Sequence, residues 1–182
     1  MASPQAALNR PERDEYAPHY DKYVQLVPEG DITTTLSQQL ESTLTLFETI
    51  DEAQARKRYA PDKWSIKELV GHVIDAERVF AYRAMRFARN DQTPLPAFEQ
   101  DDYVSSANSD ARQFSDLREE FAHVRRANIH FFRALGEEAW RRRGIASEVE
   151  VTVRALAYII AGHEAHHVNI LKQRYLATDS HA

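Results

Sequence analysis

The sequence predicts an all-α protein that folds as a four-helix bundle, with long connections between helices 2 and 3 and between helices 3 and 4. Four segments of about 20 to 26 residues carry apolar side chains at helical spacing, the pattern of helices with one buried face. At 182 residues, the chain is long enough for one domain with a sizeable core. The extended pattern is confined to one short stretch, which favours a bundle over a sheet protein.

The predicted domain covers residues 32–177. Residues 1–31 are expected to form an N-terminal arm that is partly disordered, because their prolines and mixed charges show no helical period, and residues 178–182 form a tail. The first predicted helix covers about residues 33–51. Its apolar side chains at helical spacing are Leu36, Leu40, Phe47 and Ile50.

The second predicted helix has a strong start signal. Ser65 and Glu68 are spaced as a capping box, in which each side chain accepts a hydrogen bond from the backbone N–H of the other residue. Trp64 and Leu69 flank this box as a hydrophobic staple. The apolar period continues from there, so the sequence predicts a helix over residues 65–90.

The third and fourth predicted helices cover about residues 115–135 and 152–176. The fourth begins with a threonine, which is suited to accept a hydrogen bond from a free backbone N–H as an N-cap. The connections before these helices, residues 91–113 and 140–151, are long, and the second includes an expected extended stretch at 149–151. The apolar seam expected on the third helix consists of Leu117, Phe121, Val124, Phe131 and Leu135.

Composition excludes several classes of protein. With 23 basic and 28 acidic residues the net charge is −5, which argues against the basic face of a nucleic-acid-binding protein. No apolar stretch approaches the roughly 20 residues that span a bilayer, and the N-terminus lacks the apolar segment of a signal peptide. We therefore expect a cytoplasmic protein without a nucleic-acid or membrane partner. The chain has no cysteine, so a metal site must use His, Asp, Glu or water.

Two histidines interrupt the apolar face of the fourth predicted helix. His163 and His167 are one helical turn apart, so both rings can bind one metal ion. His72 falls on the inward face of the second predicted helix and can complete a site that leaves positions open for water or substrate. His166 lies on the flank of the seam and can replace either neighbour. The alternative is that these are ordinary hydrogen-bonded histidines of the core.

The segment from His163 to His167 also fits the zinc-protease pattern H-E-x-x-H, in which Glu164 would activate water. The sequence argues against this interpretation, because no glutamate follows His167 and the extended form of the motif fails at Ile170 and Gln173. We expect Glu164 to point toward the flank of the helix, away from the open side of the metal.

Other polar residues are candidates for roles near this site. Asp75 is one turn from His72 and either orients that ligand or is a solvated carboxylate. Arg83 and Arg86 continue the inward face of the same helix, where an ion pair or aromatic stacking is favoured over binding to an anionic substrate group. Tyr103, in the first long connection, either lines the site or anchors the loop.

Three stretches of the chain resemble the DinB/YfiT-like superfamily of metal-binding four-helix bundles. They are Lys63–Glu68 leading to Gly71-His72-Val73, then Tyr82-Arg83, and then Arg154–His167 with Leu171. The resemblance extends over most of the predicted domain and implies that His72, His163 and His167 are metal ligands. It implies nickel, zinc or another divalent metal such as manganese, iron or cobalt, and frequent homodimers. Its members include enzymes that transfer low-molecular-weight thiols such as bacillithiol or mycothiol.

The sequence therefore predicts a metal-dependent enzyme that transfers a low-molecular-weight thiol to a small electrophilic substrate. The thiol has to come from outside, since the chain has no cysteine. One alternative is a metal-dependent hydrolase, in which water bound to the metal attacks the substrate. Another is a binding or stress-response module whose metal only stabilises the bundle. The sequence assigns no catalytic residue and names no substrate.

Overall fold

Four long helices form the bundle that the sequence predicts, which confirms the fold class. The structure is a computed structural model that describes residues 9–177, so the predicted tail at 178–182 lies outside the described residues. Within the described range, no helix is both long and apolar enough to cross a membrane. In chain order the helices are α1 (Asp21–Val24), α2 (Ile32–Glu48), α3 (Glu52–Ala55), α4 (Ile66–Ala88), α5 (Gln100–Ser106), α6 (Phe114–Arg133), α7 (Glu137–Arg141) and α8 (Val153–Ile170).

The start signals predicted from the sequence are present at α4 and α8. Ser65 Oγ accepts a hydrogen bond from the backbone N–H of Glu68 (3.0 Å), and Glu68 Oε2 accepts one from that of Ser65 (2.8 Å). At α8, the hydroxyl of Thr152 accepts from the backbone N–H of Ala155 (2.9 Å). A π-helix over Leu171–Tyr175 continues α8, so the helical segment ends close to its predicted position.

Both long connections contain secondary structure of their own. Residues 91–113 include α5 and a short 3₁₀ turn. Residues 140–151 include the expected extended stretch, as strands β1 (Arg143–Ala146) and β2 (Val149–Thr152) form an antiparallel hairpin. The backbone N–H of Leu95 donates to this hairpin (2.9 Å), so the first connection is fastened to the second.

The buried stripe of α6 differs from the seam predicted from apolar spacing. Leu117 and Phe121 are buried as expected, whereas Val124, Phe131 and Leu135 are half-buried and pack against the edge of the core, so the most buried stripe lies to one side of the predicted seam. A prediction from apolar spacing does not include an arginine such as Arg125, because charged side chains are rarely buried unless they are paired. The buried side chains of α6 are Phe114, Leu117, Phe121, Ala122, Arg125, Ile129 and Phe132.

Arg125 joins the four long helices through a buried group of polar side chains, the Arg125 cluster (Thr43, Glu77, Arg125, Asn128 and Glu164). Arg125 donates to both oxygens of Glu77 (2.8 and 2.9 Å), and its Nη1 lies 2.5 Å from Glu164 Oε2. Thr43 on α2 donates to the other oxygen of Glu164 (2.6 Å), and Asn128 donates to Glu77 (3.0 Å). The three charged side chains are at most 2% exposed. Since a buried charge is costly without a partner, packings of these helices that would separate the charged side chains are disfavoured.

The described part of the predicted arm, residues 9–31, packs on the bundle. Glu15 is buried and accepts hydrogen bonds from Arg154 (3.1 Å) and from the N-cap threonine of α8 (2.7 Å). Burial alone would raise the pKa of Glu15, but these hydrogen bonds lower it below its ordinary value. Farther along, α1 can lie against α8 because Gly162 has no side chain: a Cβ there would lie 2.0 Å from the carbonyl oxygen of Tyr23.

Removing the charge at the centre of the Arg125 cluster should destabilise the fold. Arg125→Met should lower the free energy of unfolding by about 3–5 kcal/mol, because Glu77 and Glu164 are left buried without their counter-charge. Urea unfolding at neutral pH, followed by far-UV circular dichroism, measures this difference. The matched control is Arg126→Met, an exposed arginine of the same helix, with an expected change below about 0.5 kcal/mol. Equal losses in both variants would contradict the assigned role of the cluster.

Candidate metal centre

The three histidines predicted from spacing come together where α4 packs against α8. His72 comes from α4, and His163 and His167 come from successive turns of α8. One ring nitrogen from each lies within 4.8 Å of the others, and Nε2 of His72 is 3.0 Å from Nε2 of His163. The three side chains are 4%, 6% and 8% exposed. Two nitrogen ligands that each lie about 2.0–2.1 Å from one metal ion are at most about 4.2 Å apart. The 3.0 Å pair meets this limit, and the group of three rings comes within about 0.6 Å of it.

The environment keeps all three imidazoles neutral at pH 7. Burial lowers the pKa of His72 to about 4 and that of His167 to about 3, and it lowers the pKa of His163 well below its ordinary value. Neighbouring imidazoles lower the pKa of His163 and His167 further. A neutral ring offers the lone pair that a metal needs. Nδ1 of His167 is buried and has no hydrogen-bond partner among the described residues, so the residues present fit a bound metal ion better than a closed hydrogen-bonded core.

Aromatic side chains hold the imidazole rings in place. The ring of Trp64 lies 4.8 Å from that of His72, and it stacks on His167 at 6.4 Å. Tyr23 of α1 meets His163 edge-on at 5.3 Å. The sequence assigned Trp64 only to the start of α4. It gave no signal for Tyr23, whose position depends on the contact that Gly162 allows.

A pocket of about 310 Å³ opens beside His167. Of the three imidazoles, that of His167 lines this pocket, so a small molecule bound there would lie next to the histidine site. Asp101 of α5 lies in its wall, and this carboxylate raises the pKa of His72 against the larger lowering by burial. Nothing in the local sequence marks Asp101 except its place in a long polar connection. The polar and aromatic side chains that line the pocket are Tyr59, Asp62, Lys63, Trp64, Asp101, His167 and Tyr175.

Glu164 lies in the protein interior, and its expected position on the helix flank was wrong. Glu164 is 1% exposed. It can be buried because Arg125, which does not belong to the apolar seam predicted for the third helix, provides a buried counter-charge. Burial raises the pKa of Glu164, and Arg125 and Thr43 partly offset this effect. One oxygen accepts from Thr43 and the other faces Arg125, so Glu164 is not placed to activate water as the zinc-protease pattern would require.

Both arginines of the inward face of α4 have structural partners. Arg83 donates to the carbonyl oxygen of Pro96 (2.7 Å) and lies over the ring of Phe98 at 5.7 Å. Arg86 forms an ion pair with Asp91. These contacts confirm the predicted preference for an ion pair or aromatic stacking.

The other polar candidates lie outside the group of three imidazoles. Asp75 pairs with Arg78 (3.5 Å), and among the described residues no hydrogen bond joins it to a site imidazole. The ring of Tyr103 lies 5.3 Å from that of Phe98, which belongs to the same long connection, and Tyr103 does not line the pocket beside His167. His166 is half-buried on the flank of α8.

Comparison with known proteins identifies the family. The family model described as the DinB superfamily matches residues 35–171, so this chain belongs to that superfamily. The fold is similar to that of YfiT from Bacillus subtilis, described as a probable metal-dependent hydrolase with an unusual four-helix bundle topology. The TM-score is 0.58 at 16% identity, over 94% of this chain and 96% of that one.

A second solved structure with this fold is a mycothiol-dependent maleylpyruvate isomerase. The TM-score is 0.63 at 15% identity, over 75% of this chain and 58% of the isomerase chain. This chain therefore spans little more than half of the isomerase. No curated protein matches the sequence. At these identities the two structures establish the fold, while the site rests on the geometry of the three histidines.

Loss of the imidazoles on α8 should abolish metal binding. The double variant His163→Ala/His167→Ala should retain almost none of the roughly one divalent metal per chain expected for the native protein. His72→Ala should bind metal much more weakly, because two imidazoles hold a metal less well than three. Mass spectrometry of metals in protein purified without an affinity tag and reloaded with nickel or zinc measures the stoichiometry.

The matched control for this experiment uses two exposed histidines of α6. His123→Ala/His130→Ala should leave the stoichiometry unchanged, because both side chains face solvent. Full occupancy in the α8 double variant would refute the assignment. A larger loss in His166→Ala than in His167→Ala would show that the wrong pair on α8 has been assigned.

Proposed function

We propose that His72, His163 and His167 hold one divalent metal ion, and that the protein uses it to transfer a low-molecular-weight thiol to a small electrophilic substrate. Nickel and zinc suit three neutral imidazoles best, and manganese, iron and cobalt are also compatible. The observation that carries the proposal is the group of three neutral, buried imidazoles beside a pocket that His167 lines. Three protein ligands are characteristic of a catalytic rather than a closed structural site.

The protein residues and the metal would have separate tasks. A divalent metal in this position supplies Lewis-acid chemistry, which lowers the pKa of a thiol or a water molecule so that a nucleophile is available at neutral pH. Trp64 and Tyr23 keep the imidazoles in place, and the wall of the pocket binds and orients the substrate. Since the chain has no cysteine, the thiol is a cosubstrate that enters through this pocket.

A specific observation also favours hydrolysis as a second candidate. Asp101 is exposed in the wall of the pocket, where a carboxylate can accept a proton from a water molecule that attacks the substrate. Asp101→Asn should then cost at least about 100-fold in the rate of hydrolysis of a small ester or amide. If the native protein does not hydrolyse small esters or amides, the hydrolase function is refuted.

A panel of thiols and electrophiles distinguishes these functions. Nickel-loaded protein is first titrated with small thiols, and binding is followed by the absorption band of the thiolate–metal bond. The same protein is then assayed for thiol transfer to electrophiles and, without thiol, for hydrolysis of esters and amides. Thiol binding with turnover supports the transferase. Metal binding without thiol binding or turnover would refute both enzymes and leave a metal that only stabilises the bundle.

Neutralising Glu164 should have little effect on thiol transfer. Glu164→Gln should retain the metal and change the transfer rate by less than about tenfold. A glutamine has the same shape and keeps an oxygen that can face Arg125, so the packing of α8 is preserved, and a thiolate needs little help from a base. Steady-state rates at equal metal content make the comparison, with Glu41→Gln on the exposed face of α2 as control. A loss of several hundredfold with the metal retained would contradict this prediction and indicate activation of water by Glu164.

We also propose an oligomeric state and a cellular location for the protein. We expect a homodimer, on the basis of the family resemblance, and a cytoplasmic location without a nucleic-acid partner, on the basis of the composition. Light scattering of the full-length protein measures its mass in solution against that of one chain, 21.0 kDa.

A further inference from the structure

We propose that the pocket beside His167 selects molecules that carry a positively charged amino group, and that Asp101 together with the rings of Tyr59, Trp64 and Tyr175 binds this group. The inference rests on the proposed function, because it concerns the cosubstrate or substrate of the same site. It adds a chemical class, an organic ammonium group, to a ligand that the proposed function leaves unnamed.

Three aromatic rings form one part of the pocket wall. Tyr59 and Tyr175 meet edge-to-face, with ring centroids 4.9 Å apart. The hydroxyl of Tyr175 donates to the backbone carbonyl of Trp64 (2.6 Å), which fixes this ring beside the indole. Tyr59 is 44% exposed, so part of its ring is available to a ligand. The faces of Trp and Tyr attract cations through the negative charge of their π-systems.

The charges around the pocket favour a cation as well. Lys63 lies 3.0 Å from the carboxylate of Asp62, so these two charges offset each other. Asp101 is exposed in the same wall, and no ion pair or hydrogen bond of its carboxylate is found among residues 9–177. In the metal-free protein, where the three imidazoles are neutral, the lining therefore keeps one negative charge without a counter-charge among the described residues. An ammonium group is the ligand chemistry that both a carboxylate and aromatic faces recognise.

The C-terminal end of the helical segment formed by α8 and the π-helix also favours a cation in the pocket. Ile170 of α8 lines the pocket, and so does Tyr175, the last residue of the π-helix that continues α8, so the C-terminal end of this helical segment lies at the pocket wall. The C-terminal end of a helix carries a partial negative charge, which stabilises a nearby cation. Short π-helical turns occur frequently at functional sites, where they reposition a side chain. Asp101, the helix end and the rings thus approach the metal position from three elements of the fold.

The test compares three small thiols of similar size that differ in charge. Cysteamine is cationic, 2-mercaptoethanol is neutral and mercaptoacetate is anionic at neutral pH. Their Kd values for nickel-loaded protein are measured from the thiolate–metal absorption band, in the native protein, in Asp101→Asn and in Asp102→Asn. Asp102 is the matched control, because it is exposed on α5 next to Asp101 but does not line the pocket. The ratio of variant to native Kd cancels the different acidities of the thiols.

The expected result is a selective loss of affinity for the cation. Asp101→Asn should weaken cysteamine binding about three- to tenfold, leave 2-mercaptoethanol within about twofold and not weaken mercaptoacetate. The effect on cysteamine should decrease at high salt, because an exposed carboxylate is screened. Asp102→Asn should weaken cysteamine binding less. The logarithm of its ratio of variant to native Kd should be below half of the value for Asp101→Asn. Equal changes for the three thiols, or tighter binding of mercaptoacetate than of cysteamine by the native protein at equal thiolate concentration, would overturn the inference.

A second titration separates this inference from the proposed function. Metal-free protein is titrated with propylammonium, 1-propanol and propionate, and the indole N–H signal of Trp64 is followed by nuclear magnetic resonance. We expect a saturable shift with propylammonium that is absent in Asp101→Asn. If this shift is seen while no thiol binds the metal, thiol transfer is refuted and the cation site stands. If thiols bind without any preference for a cation and propylammonium gives no shift, the inference is refuted and thiol transfer stands.

Discussion

The buried guanidinium of Arg125 is the interaction on which the arrangement of the bundle depends. It pairs with Glu77 of α4 and Glu164 of α8, while Thr43 of α2 donates to Glu164. A guanidinium at 0% exposure is tolerated only with such partners, because removing a charge from water costs several kcal/mol. Apolar helix faces can slide over one another with small losses, whereas a cluster of directed hydrogen bonds permits one register. The cluster therefore specifies the packing of the long helices.

This constraint also determines the geometry of the histidine site. Glu164 is adjacent in the chain to His163, and Glu77 lies little more than one turn beyond His72 on α4. When Arg125 holds these two glutamates, it also fixes the distance between the helices that carry the imidazoles. The site is closed on the opposite side by Tyr23, which the absence of a side chain at Gly162 allows to approach. Three imidazole rings are thus held close together in the protein interior. Burying these polar rings is unfavourable, and a bound metal ion would stabilise the arrangement.

The sequence predicted features that depend on local spacing. The helices, the capping box at Ser65 and the facing of His72 toward α8 all follow from periods of a single segment. It could not predict Arg125, because apolar patterning treats an arginine as exposed, and its burial is stabilised by partners distant in the chain. Glu164 was misplaced for the same reason. Asp101 and the packing of the N-terminal segment depend on tertiary contacts that leave no periodic signal.

Anomalous diffraction from crystals of the full-length, nickel-loaded protein tests the central claim most directly. The claim is that one metal ion is bound by His72, His163 and His167 beside the pocket that His167 lines. Data collected on both sides of the nickel absorption edge should give one strong anomalous peak per chain, about 2.0–2.2 Å from a nitrogen of each ring. A peak elsewhere, such as on the exposed histidines of α6, or none between the three rings despite bound nickel, would contradict the account.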